Sequence, residues 1–425
     1  MLRRLLTLSA ASLLLCALAA RVRAQEEAGD AELEALRRAA EAEAVGEISE
    51  PDEARETNFK ARGLGLQALN PEISVTGDFL GTYQSGDGSQ PDWDFSFRGL
   101  GLHFEAYLDP YSRFKAAAPV SAAGASLGEA YFTRYGALGR GNLTLGKFRQ
   151  QFGVVNRWHK HGLDYVDFPL PLRQVFGPAG LNQTGLSLDW SGSLGGTSQE
   201  LTLQITDGEN ASMFGENAEN RPSILAHYKL NRDVSASTYC ELGLTGLVGW
   251  NDKWVIDIAS PAPDLYEYDT RATQVYGFDF TVLWEPTHMM RYRNFEWRTE
   301  LYYAQKDIRA PDGMTGRDSL SPWGAYTSLQ AKVSRTVDVG GQFGYFRPEV
   351  KSYASTADLS LAPLAVTEDG AHRWLGALYL TWWQSPFVKY RVQYEHEDGS
   401  GTGDPVDRVV LQCVFAAGPH KHERY

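Results

Sequence analysis

From about Pro71 onward, apolar and polar residues alternate one for one. Val388, Tyr390, Val392 and Tyr394 are interleaved with Lys389, Arg391, Gln393 and Glu395. Phe295, Trp297, Leu301 and Tyr303 are interleaved with Glu296, Arg298, Glu300 and Tyr302. Tyr276, Phe278, Phe280, Val282 and Trp284 share one register, opposite Gly277, Asp279 and Thr281, and Leu201, Leu203 and Ile205 alternate with Thr202, Gln204 and Thr206. A period of two puts successive side chains on opposite faces of a strand. Each segment therefore predicts a strand with one aromatic and aliphatic face and one charged face. Sixteen strands are expected, starting near residues 72, 94, 111, 126, 142, 182, 199, 222, 235, 271, 291, 324, 338, 372, 388 and 407.

In a soluble sandwich the charged face would simply be the wet surface. The connections decide against that. Tight ones (Asp109-Pro110, Gly136–Arg140, Asn231–Asp233, Ser334–Val337, Gln384–Pro386) alternate with long ones at 84–93, 149–181, 207–221, 248–270, 306–321, 347–370 and 397–405, with 119–125 of modest length. Short turns at one end, longer loops at the other and an even strand number are the pattern of an outer-membrane barrel. A sandwich has no reason to sort its loops. Trp374 and Trp382 fit the same picture, lying eight residues apart on one register with Leu378 and Leu380 between them. At about 3.3 Å per residue and a tilt of roughly 40°, they are on the order of 20 Å apart across a membrane. That is close to the ~25 Å apolar band bounded by aromatic girdles. The expected fold is thus all-β: a transmembrane antiparallel β-barrel of about sixteen strands over 67–425, preceded by a short N-terminal helical segment.

Residues 1–24 read as a secretory signal peptide: Arg3 and Arg4, an apolar run from Leu5 to Ala20, and Val22-Arg23-Ala24 before Gln25. The apolar run is too short to be favoured as a spanning helix. Residues 25–66 differ in kind. Positions 26–60 hold twelve acidic and four basic residues among helix formers, with Leu33, Leu36 and Ala40 on one helical face. This predicts an acidic helical segment on the periplasmic side, either solvated or a short coiled coil. The formal net charge is −13, and loss of the signal peptide would remove four arginines. So negative a chain is unsuited to nucleic acid, which calls for a basic surface. Beyond residue 24 two cysteines remain, Cys240 and Cys413, on apolar registers of strands distant in order, so a disulfide is not expected.

The stretch Lys147–Leu181, KFRQQFGVVNRWHKHGLDYVDFPLPLRQVFGPAGL, is the longest connection. Thirty-odd residues without helical periodicity inside a compact domain are usually functional or disordered. Its aromatic, proline and charge content predicts an ordered, packed loop. Gly146-Lys147-Phe148-Arg149, Phe152-Gly153, Asn156, His159, His161, Pro169 and Phe176-Gly177 resemble the central segment of the phosphate-selective porin O and P-like outer-membrane porins. Asn70-Pro71-Glu72-Ile73-Ser74 with Gly77-Asp78-Phe79, Asp109-Pro110-Tyr111 and Glu129-Ala130-Tyr131 extend the resemblance to roughly 68–425. It implies a homotrimer in outer-membrane lipid that passes small hydrophilic solutes or anions, with no cofactor. It also implies that the barrel-assembly machinery reads the terminal Tyr425, although Pro419 interrupts the last strand.

By the strand count this is the third connection on the outer side, and in water-filled barrels that connection commonly folds inward. Arg149, Arg157, His159, Lys160, His161, Asp164, Asp167 and Arg173 are therefore the expected constriction residues. The inward register supplies Glu296, Arg298, Glu300, Lys389, Arg391, Glu395 and Arg408 as expected pore lining, together with Lys229, Asp189 and Asp279. Because both signs are represented, phosphate specificity does not carry over, and the charges could equally do no more than solvate a wide lumen. His159 and His161 with Asp164 and Asp167 leave open a zinc-type uptake channel or receptor, since imidazole and carboxylate suit such metals. A non-conducting anchor remains another alternative. An outer-membrane enzyme finds no support in a nucleophile motif such as G-x-S-x-G.

Overall fold

The computed structural model describes residues 71–86, 89–121, 124–215, 221–251, 271–309, 317–351, 364–366, 368–400 and 404–418. The segments read above as signal peptide and acidic helix, and Tyr425, lie outside the described residues. The strands are β1 (Glu72–Gly86), β2 (Ser89–Asp109), β3 (Ser112–Ser121), β4 (Glu129–Leu138), β5 (Gly141–Arg149), β6 (Asn182–Leu194), β7 (Thr197–Thr206) and β8 (Ser223–Ser235). They continue with β9 (Thr238–Asn251), β10 (Arg271–Trp284), β11 (Asn294–Arg309), β12 (Trp323–Lys332), β13 (Val337–Arg347), β14 (His372–Ser385), β15 (Val388–Ser400) and β16 (Val406–Ala417). Two short pieces, Gly124–Ala125 and Arg317–Leu320, prolong the ladders of β4 and β12.

Every strand pairs antiparallel with its chain neighbours, and β16 returns to β1 from Val75↔Ala417 to Gly86↔Val406. The sheet is a closed barrel of 16 strands. Closure leaves no unpaired edge, which is the condition for strands to cross hydrocarbon. The turns at one end are tight for local reasons. Gly195-Gly196 supplies two successive positive φ angles of 61° and 78°, as a two-residue hairpin of matching twist demands. At Asp109-Pro110 the Asp109 carboxylate accepts from the Tyr111 amide at 2.7 Å and from the Ser112 hydroxyl at 2.5 Å.

One expected long connection proves to be ladder. Residues 84–93 continue the β1–β2 pairing through Gln84↔Asp92 and Gly86↔Ser89. The rings of Tyr83 and Trp93 meet there with centroids 4.9 Å apart.

The outer face is apolar and exposed. Tyr390, Val392, Tyr394, Leu378 and Leu380 all point outward. Trp382 stacks on Tyr390 near the short turns, and Trp323 meets Tyr345 near the long connections. These are the two aromatic levels of a membrane-spanning barrel. The interior holds two kinds of buried material. One is the polar inward register, including Thr202, Gln204, Lys389, Arg391 and Gln393. The other is an apolar core that the strands alone could not supply. Phe152, Val155, Trp158, Leu163, Tyr165, Phe168 and Phe176 come from the segment between β5 and β6, and Met213 and Phe214 from the one after β7. Cys240 and Cys413 are both free.

Candidate functional site

The segment 150–181 is tied at its neck. The Asn156 side chain donates to the carbonyls of Gln150 (2.8 Å) and Leu181 (2.9 Å) and accepts from the Leu181 amide at 2.8 Å. A carboxamide does this because it carries donors and an acceptor together. Gly180 has φ of 71°, and a Cβ there would stand 2.6 Å from the Asn156 oxygen. Arg149, the last residue of β5, donates to the carbonyls of Ala179 (2.9 Å) and Asn156 (3.3 Å). Two single-turn 3₁₀ pieces follow, Val155–Arg157 and Lys160–Gly162, and then the helix α1 (Leu170–Phe176). Pro171 sits in the first turn of α1, where its missing N–H costs nothing, and Gly177 at φ 86° ends the helix.

Beyond the neck, the inner wall grips the segment. The Glu300 carboxylate accepts from the amides of Val154 (3.1 Å) and Val155 (3.0 Å) and from the hydroxyls of Tyr302 (2.5 Å) and Tyr326 (2.9 Å). Lys389 Nζ donates to the His161 carbonyl at 2.7 Å, Arg391 to the Leu163 carbonyl at 2.9 Å, and the Val166 amide donates to Gln393 at 3.1 Å. Arg298 lies over the Trp158 ring, 4.3 Å from its centroid. Wall glycines make the fit possible. A Cβ on Gly277 would be 2.7 Å from the Phe152 ring, and one on Gly324 would be 2.9 Å from the Pro171 Cβ. The second segment adds to the same packing, with the Asn210 side-chain Nδ2 donating to the Phe176 carbonyl at 3.0 Å.

Arg298, Glu300, Lys389 and Arg391, expected on the pore wall, therefore lie beneath the segment and hold it. Glu296 pairs with Arg298, and Glu395 and Glu397 flank Arg408 at 3.0 and 3.2 Å. Asp164 is buried, while Lys160 pairs with Asp167 at 2.7 Å. Burial pushes the Asp167 carboxyl up, but Lys160 and Arg173 outweigh it and hold the group below the ordinary carboxylate range.

Among the described residues, open space lies along β1–β8. A cavity of about 410 Å³ extends towards the short turns and includes Arg113, Lys115, Tyr131, Asp189 and Glu200 in its lining. Another of about 420 Å³ extends towards the long connections, with Asp78, Arg98, His103, Lys160 and His161 among its lining residues. Glu129, Arg149 and His159 belong to both. At these shared residues, His159 Nε2 is 2.9 Å from Glu129 Oε2, and the same carboxylate accepts the Arg149 amide at 3.0 Å. The imidazoles of His103, His159 and His161 form a triangle with centroids 5.3 to 5.5 Å apart. Among the described residues, no group of three or more His, Cys, Asp or Glu side chains could hold a metal ion.

Of these residues, the reading of the long connection picked out His159, His161 and Arg149 but not Glu129, Arg98 or His103. A bulge explains the two on β2. Asp78 pairs with Gly99 and Phe79 with Phe97, which leaves Arg98 as the extra residue. Phe95 and Phe97 face outward before the bulge and Leu102 after it, so inward parity switches from Arg98 to His103. Bulges re-aim side chains in this way, and Arg98 is aimed at Asp78, with which it forms an ion pair, and at the Val166 carbonyl at 2.9 Å. Glu129 carried a signal of its own, standing in the Glu-Ala-Tyr motif that supported the resemblance.

Fold and site define the class: a sixteen-stranded barrel with a chain segment packed inside it. Solved structures share the barrel fold. OprB of Pseudomonas putida superposes with a TM-score of 0.53 at 10% identity, covering 82% of this chain and 94% of that one. An anion-selective porin from Comamonas acidovorans superposes with a TM-score of 0.51 at 10% identity, covering 82% and 100%. At such identity the likeness is one of fold. The chain belongs to the same family as an uncharacterised protein of Aquifex aeolicus (strain VF5), to which it is 32% identical over 351 residues, 76% of this chain and 69% of that protein. No family model matches the sequence, so the resemblance to phosphate-selective porins rests on the motifs quoted above.

Proposed function

We propose that this protein is an outer-membrane porin, a passive diffusion channel for small hydrophilic solutes or ions. The observation that carries this reading is the pair of cavities, each lined by charged side chains of both signs, that share Glu129, Arg149 and His159. Solutes would pass from one cavity to the other beside these residues, and the inward-packed segment 150–181 would set the narrowest cross-section. Its anchors suit the task, because a constriction works only if it does not swing. Charges of both signs flank the path, Arg98 and Lys160 against Asp78 and Asp167. Paired in this way they leave little net charge, which suits small, well-hydrated solutes of either sign. The apolar exterior with its two aromatic levels fits outer-membrane lipid, and the sorting of short and long connections orients the long ones outward. The homotrimer follows from the resemblance, as does insertion by the barrel-assembly machinery.

Single-channel recording tests the reading. Purified, heat-modifiable protein reconstituted in planar bilayers should give discrete, long-lived steps in KCl. Deleting 157–168 should raise the step size, because the narrowest segment dominates resistance. Folded protein that inserts without conducting would be an anchor or receptor.

A further inference from the structure

The permanent charges around the throat are arranged against opposite neighbours. Asp78 on β1 holds Arg98 of β2, and Asp167 holds Lys160 within the inner segment. Glu129 of β4 holds His159 and lies in the field of Lys115 on β3 and Arg149 on β5. On the remaining side, the Lys389 amine of β15 donates to the His161 carbonyl. Inside this frame stand three imidazoles from two elements. His103 projects from β2 just beyond the bulge, with Thr76 Oγ1 of β1 at 3.4 Å from its Nε2. His159 and His161 stack with planes 15° apart, and His103 meets both edge-on. All three line the cavity towards the long connections, and His159 also lines the one below.

Resting on the channel reading, we infer that His103, His159 and His161 are the specificity-determining residues of the throat, and that their protonation turns the passage towards small anions. Imidazole is the side chain whose ordinary titration falls between pH 5 and 8. Carboxylates ordinarily titrate lower and lysines and arginines far higher, so imidazole is the side-chain type that a comparison between pH 5 and 8 addresses. As pH falls, positive charge gathers on this cluster, each protonation opposing the next because the rings lie 5.3 to 5.5 Å apart. Fixed charge there acts on every passing ion, because low-dielectric walls concentrate the field. Mild acidity should therefore favour anions and slow cations.

The test measures reversal potentials under a KCl gradient at pH 8 and pH 5, for wild type and for His103→Gln/His159→Gln/His161→Gln. In wild type the potassium-to-chloride permeability ratio should fall by about threefold or more on acidification. In the triple variant most of that change should be lost. His103→Gln alone, on a strand outside the inner segment, should lose part of it and serves if the triple variant misfolds. A wild-type ratio that does not move, or a variant that keeps the full shift, overturns the inference and leaves the channel standing. Folded protein that conducts no ions overturns both.

Discussion

His159 Nε2 lies 2.9 Å from Glu129 Oε2, joining the inner segment to β4. The segment's strongest other anchor, Glu300, stands on β11, seven strands away around the wall. The segment therefore bridges the interior between two carboxylates. Glu300 is nearly without exposure and accepts from Tyr302 and Tyr326 of the barrel and from the segment's Val154 and Val155 amides. Glu129 faces both cavities. One holds, and the other also lines the path.

Glu129→Gln removes a negative charge from the throat while keeping an acceptor oxygen for the Arg149 amide. The expected result is a shift of the reversal potential towards anion preference at pH 7.5, by about twofold to fivefold in permeability ratio. Heat-modifiable mobility should stay at wild type. No shift in a folded variant would place the path elsewhere in the interior.

Glu300→Ala should act differently. It strands two backbone amides and two tyrosine hydroxyls, and each unsatisfied buried group costs about 1–3 kcal/mol unless water reaches it. The segment should loosen before the barrel does. Expected outcomes are cleavage between Val154 and Phe168 by added protease and larger, noisier conductance steps. The urea midpoint of barrel unfolding should move less than loop protection does. Wild-type protease resistance would mean that the other anchors suffice.

Val392→Arg puts a charge on the lipid face near mid-strand, where such a change costs roughly 2–4 kcal/mol. Val392→Phe should be close to neutral. Folding into liposomes, followed by mobility on unboiled gels, separates the two. Gln393 next to it faces inward and holds the Val166 amide, so Gln393→Lys should loosen the segment rather than block insertion.

Asp167 gives a pH dependence to the segment's attachment. Its carboxyl is held below the ordinary range by Lys160 and Arg173. A depressed carboxylate contributes stability that is fully present above its unfolded-state value. That contribution is lost as pH falls through the lower folded value. Pepsin cleavage within 150–181 should therefore rise in wild type below about pH 4. Asp167→Asn, which lacks the charge throughout, should be more cleavable than wild type at pH 5 and no different from it at the most acid pH. Equal cleavage at pH 5 would show that the Lys160 pair adds nothing.

The sequence by itself determined the barrel. Alternation at Val388–Glu395 and Phe295–Tyr303 states which face meets lipid, because the two sides of a strand are fixed by a period of two. Turn lengths state which end is which. The composition of Lys147–Leu181 marks an ordered connection, and its motif residues Asn156, His159 and Arg149 are among those that close its neck or line both cavities. Tertiary structure decided where that connection goes and what faces it. Glu300 and Arg391 look alike in the sequence as inward charges, yet both are buried under the segment, because hydrogen-bonding partners from distant parts of the chain meet only after closure. Gln412 donating to Asp78 at 3.0 Å is the same effect across the β1–β16 seam. His103 was hidden for a sharper reason. A single extra residue at Arg98 reverses the parity of β2, and a strand's parity is a property of its pairing, which a single strand's sequence does not contain.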